Sequence, residues 1–179
     1  MGNTGLREQM DGRSGAMGET MDTTERARTT ARLLVDLTRA GDLDGISRIV
    51  HLLTDSPDPR RARLHQVLVE LLDAAAAMVV RQTGGFGDDT AVVLDLRRID
   101  GSTVDIDELC PEVRAMVRAL LAKVHEYEED LAIQLELALH GDASGLADGV
   151  TLVLLWTVSA MTWCAENDEP APGWLDRAA

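Results

Sequence analysis

An uncharged stretch decides the fold: residues 149–165 read GVTLVLLWTVSAMTWCA. Seventeen residues are at the lower limit of the length that crosses a bilayer, but threonine and serine dilute the stretch and no basic cluster flanks it. A helix that is apolar on every side is typical of the middle of a bundle. We therefore predict a central core helix and no membrane contact. The residues expected in the core are Leu152, Leu155, Trp156 and Trp163.

Amphipathic helices are predicted ahead of this stretch. Four stripes of apolar residues at helical spacing start near Thr29, Asp42, Pro57 and Pro111. Aspartate is a favourable N-cap, and proline suits the first turn of a helix. Residues 131–139 alternate like a strand, but Leu, Gln, Glu and Ala are helix formers, so we predict a helix there. The expected fold is mainly α, a single-domain bundle of about five or six helices.

One β-hairpin is predicted within the bundle, at approximately residues 91–106. Apolar and polar residues alternate from Ala91 to Arg98, and Asp100-Gly101 is a favourable hairpin turn before residues 103–106. Three segments follow. We predict a disordered segment at residues 1–28, one helical domain at 29–165 and an acidic tail at 166–179.

The composition predicts a cytoplasmic protein. The net charge is −14, and residues 107–179 carry fourteen acids against four basic residues. Such a surface repels phosphate backbones, which disfavours nucleic-acid binding. Two cysteines are too few for a disulfide framework, and no apolar run resembling a secretory signal precedes Ala31. Sixteen arginines against one lysine, with abundant alanine, are typical of a GC-rich genome, so we expect a bacterial source.

No cofactor or catalytic motif is recognisable. The sequence lacks the Gly-x-Ser-x-Gly elbow, the His-Glu-x-x-His pair and a phosphate-binding loop with its lysine. We expect no cofactor, and the sequence nominates no catalytic residue. It favours a protein without enzymatic activity.

A metal-dependent helical-bundle enzyme is the lower-ranked of two alternatives. If one helix runs unbroken from residue 125 to 140, four side chains lie on one of its faces. They are His125, Glu129, Glu136 and His140. Imidazole and carboxylate groups at that spacing could bind a divalent metal in a helical-bundle enzyme. The neighbouring acids favour an ordinary solvated face instead.

A winged-helix DNA-binding regulator is the higher-ranked alternative. Three helices precede the predicted hairpin, and the third begins with a basic cluster. In this interpretation the contacts to a partner or to nucleic acid are made by Arg60, Arg61, Arg63, Gln66, Arg97 and Arg98. Pairing of the cluster with Asp55, Asp58 or the acidic C-terminal half is the favoured explanation.

The leading hypothesis is a non-enzymatic protein-binding or regulatory module. Its apolar helical stripes and its lack of a chemical motif favour interaction with a protein partner, and self-association in particular. No stretch of the sequence resembles a known family.

Overall fold

The computed structural model describes residues 8–54, 59–85, 96–97 and 101–176. Within them the chain forms six α-helices and one short 3₁₀ helix at Ile106–Glu108. The α-helices are α1 (Glu8–Ala40), α2 (Leu43–Thr54), α3 (Pro59–Gln82), α4 (Pro111–Val124), α5 (Glu128–Leu139) and α6 (Ala143–Glu166). The prediction of a mainly α bundle is confirmed, and so is the helix at residues 131–139.

Two helices form the centre of the bundle. α3 and α6 pack against each other, and each also contacts the other four helices. Among the described residues, α3 contributes more fully buried large side chains than any other helix, because leucine and valine recur along one face of its 24 residues. Those buried most deeply are Leu64, Val67, Leu68, Leu71, Leu72 and Met78.

The face of α6 that is buried differs from the predicted one. The buried residues follow a helical spacing that includes Leu146, Val150, Val153, Leu154 and Cys164. Leu155 is 51% exposed, and the other three residues predicted in the core are only partly buried. The prediction failed because a helix that is apolar all round does not reveal which side meets its neighbours.

α6 is also the one helix among the described residues that is long and apolar enough to cross a membrane. Core helices of water-soluble proteins meet the same criterion of length and composition. In this fold 44% of its most apolar window is buried against other helices.

A buried carboxylate fixes the start of α6 against the start of α4. Glu112 is only 6% exposed, and its Oε1 accepts a hydrogen bond from the backbone N–H of Asp142 at 2.7 Å. The Asp142 carboxylate in turn accepts from the N–H groups of Ser144 and Gly145. A Cβ atom added at Gly141 or Gly145 would overlap the Glu112 side chain. Because residues 141 and 145 are glycine, the Glu112 carboxylate has room to reach the N-terminus of α6.

The predicted β-hairpin is not supported. Residues 86–95 and 98–100 lie outside the described residues. The described remainder holds no strand, only an isolated antiparallel bridge between Arg97 and Thr103. The 3₁₀ helix at Ile106–Glu108 occupies the end of the predicted second strand, where Asp105 caps it by accepting from the N–H of Asp107.

Both predicted domain boundaries exclude residues that pack in the bundle. Ala27 is buried, and Nε of Arg28 donates to the buried carboxylate of Glu70 in α3 at 2.7 Å. At the other end Leu175 belongs to the core, and Arg32 of α1 donates to the carbonyl of Asp176.

Candidate functional site

A cleft opens between α1, the first turns of α3 and the last turn of α5. Its volume is about 1200 Å³. It brings together residues that the sequence assigned to two separate sites: Arg61, Arg63 and Gln66 from the basic cluster, and Glu136 and His140 from the metal candidates. We name it the α1–α3–α5 cleft.

The charged groups that line this cleft are mainly basic. Three arginines face two glutamates there, and two histidines, His65 and His140, add hydrogen-bonding nitrogens. Arg61 and Arg63 are exposed, and neither forms an ion pair within the described part of the chain. The third arginine, Arg26, binds Asp22 of its own helix at 2.6 Å. Arg61 and Arg63 are therefore the two arginines of the cleft that have no carboxylate partner among the described residues.

Apolar side chains form the floor of the cleft. Ala27, Val67 and Leu139 are buried, and the partly buried Leu53 lies beside them. The cleft therefore combines a basic rim with an apolar floor, an arrangement suited to a molecule that has one charged end.

A second surface lies on the outside of the α4–α5 hairpin. A groove of about 730 Å³ separates the first half of α4 from the last half of α5. Ile133 and Leu137 project beside it with exposed fractions of 55% and 60%, and Pro111 and Ala115 line the α4 side. We name this region the α4–α5 surface. Large apolar residues that are exposed side by side are typical of interaction sites.

Charged residues of both signs lie on the α4–α5 hairpin. The turn between the helices is acidic, and four acids there are exposed: Glu126, Glu128, Glu129 and Asp130. Away from the turn the groove is lined by Glu136 of α5 and by Arg114 and Arg118, the fourth and eighth of the fourteen residues of α4. The two arginines contact Asp107 of the 3₁₀ helix at 3.3 and 3.9 Å, but its carboxylate is largely exposed to water. The surface therefore combines exposed apolar residues with an acidic turn and with two arginines of α4.

Lys123 fixes the acidic end of the hairpin to the core of the bundle. Its Nζ lies 2.7 Å from Oδ1 of Asp73 in α3 and 2.8 Å from Oε1 of Glu128. Partial burial acts to lower the pKa of Lys123, but the hydrogen bonds and charges of the two carboxylates outweigh it, so the pKa lies above its usual value.

No protein-family model matches this chain, and neither a curated protein nor a solved structure matches it. Function is therefore argued from the surfaces of the described residues.

The four metal candidates do not share one helix face. α4 ends at Val124 and α5 begins at Glu128, with Glu126 at a φ of +60° in the turn between them. His125 and His140 consequently lie at opposite ends of α5, whose twelve residues span about 18 Å. His125 stacks on Tyr127, Glu129 is exposed, and His140 Nδ1 lies 3.0 Å from Oε2 of Glu136. Among the described residues no three metal-ligating side chains cluster.

The residues of the winged-helix interpretation are scattered. Arg97 is exposed beside the isolated bridge, Arg98 lies outside the described residues, and so does the side chain of Arg60. α3 is a central core helix, with only its first turns open to the α1–α3–α5 cleft. A recognition helix needs an exposed face along several turns to enter a major groove, and α3 does not offer one.

Sequence reasoning missed the buried carboxylates and the exposed apolar pair. Glu70 and Glu112 resemble any other surface acid in the sequence, although the glycines at 141 and 145 were a signal of close packing near Glu112. The sequence did carry a signal for Ile133 and Leu137. When residues that are apolar at every second position form a helix, some of them must lie on the side that faces away from the core, and these are Ile133 and Leu137.

Proposed function

We propose that this protein is a non-enzymatic helical module that self-associates, and that two copies meet through the α4–α5 surface. The observation that carries the proposal is the exposure of Ile133 and Leu137 beside an apolar groove. Covering these side chains removes apolar area from water, which is the main driving force of association. The proposal also places the protein in a bacterial cytoplasm, in agreement with its composition.

The charges of the hairpin favour a second copy as the occupant. When two copies pack antiparallel about a twofold axis, the acidic turn of each lies against Arg114 and Arg118 of the other. A parallel arrangement would place like charges together. The surface is thus complementary to itself in one orientation only, and this electrostatic match selects the partner and the register.

The size of the surface predicts a dimer of modest affinity. Two helices about 10 Å wide and about 20 Å long present roughly 400 Å². A stable interface buries about 800 Å² on each partner. We therefore expect an equilibrium between monomer and dimer that shifts with protein concentration.

Sedimentation velocity over a range of concentrations tests the proposal. The native protein is expected to dimerise as the concentration rises, and Ile133→Gln/Leu137→Gln is expected to remain a monomer. The matched control is Leu43→Gln/Leu52→Gln, which changes two leucines of α2 that are also exposed. A native protein that is monomeric at every concentration refutes the proposal, as does equal dimerisation of the two double variants.

A further inference from the structure

We propose that the α1–α3–α5 cleft binds an organic anion with an apolar body, of the class of a medium-chain carboxylate. This inference concerns a different surface from the one that carries self-association and does not rest on it. It follows from the volume of the cleft, its apolar floor and two guanidinium groups that no carboxylate of the described residues pairs with.

The volume admits a ligand of considerable size. Small-molecule sites usually measure about 300–1000 Å³, and this cleft reaches about 1200 Å³. Three helices that are distant in the sequence form its walls, so the packing of the bundle holds it open. It is therefore a concavity of the fold itself.

The charged end of the ligand is determined by Arg61 and Arg63. Guanidinium groups form paired hydrogen bonds with planar carboxylates, and no carboxylate of the described residues pairs with either arginine. Arginines in the first turns of a helix are opposed by the helix dipole, and a bound anion would relieve that repulsion. Glu25 and Glu136 also line the cleft, but neither carboxylate lies within 4.0 Å of the Arg61 or Arg63 guanidinium group.

The apolar end of the ligand is determined by the floor. Val67 and Leu139 are almost completely buried beneath the cleft, and Ala27 lies beside them. A hydrocarbon chain laid on these side chains leaves water, and each buried methylene contributes about 0.8 kcal/mol. An inorganic anion would leave this floor unused. The cleft therefore favours an amphiphilic anion over phosphate or a short acid.

Isothermal titration calorimetry with decanoate below its micellar concentration tests the inference. We expect saturable binding of one decanoate per chain, at least tenfold tighter than butyrate or inorganic phosphate. Decyltrimethylammonium, which has the same chain and the opposite charge, is expected not to bind. Binding of the cation with the affinity of decanoate would refute the role of the arginines. Binding of butyrate with that affinity would refute the role of the apolar floor.

Two double variants locate the binding. Arg61→Gln/Arg63→Gln is expected to weaken decanoate binding at least tenfold. Arg39→Gln/Arg48→Gln removes the same charge from exposed positions outside the cleft and is expected to leave binding unchanged. Unaltered affinity in the first variant, or no binding to the native protein, overturns the inference. Because the monomeric Ile133→Gln/Leu137→Gln variant keeps the cleft, it should still bind decanoate, so failure of self-association and failure of this site are distinguishable.

Discussion

Replacing Glu112 by alanine removes the acceptor that joins α4 to the N-terminus of α6. The N–H of Asp142 then loses a hydrogen bond of 2.7 Å to a buried carboxylate. Hydrogen bonds to charged groups contribute about 1.5–3 kcal/mol, so we expect the free energy of unfolding to fall by about 2–3 kcal/mol. Gly145→Ala alone forces a methyl group into the Glu112 side chain, and overpacking of this kind costs about 1–3 kcal/mol.

The two substitutions are expected to compensate each other. Once Glu112 is alanine, the methyl group at position 145 enters vacated space, and alanine is favoured over glycine inside a helix by about 1 kcal/mol. Gly145→Ala should therefore destabilise the native protein and stabilise the Glu112→Ala variant. Such a change of sign corresponds to a coupling energy of at least about 2 kcal/mol.

Urea unfolding followed by circular dichroism at 222 nm measures the stability of four proteins at one protein concentration: the native protein, the two single variants and the double variant. Gly173→Ala is the control, because a methyl group there meets no atom within 4 Å. Additive effects of Glu112→Ala and Gly145→Ala would refute the account of how the carboxylate reaches the start of α6.

Three further predictions concern other parts of the bundle. Lys123→Met should lower stability near neutral pH, and the difference should disappear as the pH rises above 10.5 through the raised pKa of Lys123, which pH-dependent urea unfolding can follow. Leu175→Ala should cost about 2–5 kcal/mol in the same assay, because the side chain is 4% exposed in the core; a loss below about 0.5 kcal/mol would show that it does not pack there. Cys110 is exposed, whereas burial isolates Cys164 and raises the pKa of its thiol, so a disulfide reagent should label one thiol per folded chain rapidly and two after unfolding.

The sequence predicted the helices well and their faces poorly. Periodicity and capping residues located α2 to α6, and Asp42 caps α2 as expected by accepting from the N–H of Gly45. Periodicity could not place Leu155, because α6 is apolar on all sides and only its neighbours decide which side is covered. The end of α4 near His125 was predicted, but the positive φ of Glu126 in the turn carries no sequence signal, so the unbroken helix that the metal alternative needs could not be ruled out from the sequence.

The sequence nominated candidate residues, but it did not indicate which of them lie close together in the folded chain. Residues of the basic cluster and two of the four metal candidates line one cleft, and no linear spacing indicates that they meet. Local patterns describe neighbours within a helix, whereas the cleft depends on how α1, α3 and α5 pack together.

Charge exchange on the α4–α5 surface tests the central claim most directly. Arg118→Glu and Glu129→Arg each place like charges together across an antiparallel pair, so each should abolish the dimer seen by sedimentation velocity. The chain that carries both substitutions regains opposite charges at positions 118 and 129, and it should dimerise as the native protein does. A double variant that stays monomeric, or single variants that dimerise normally, would contradict self-association through this surface.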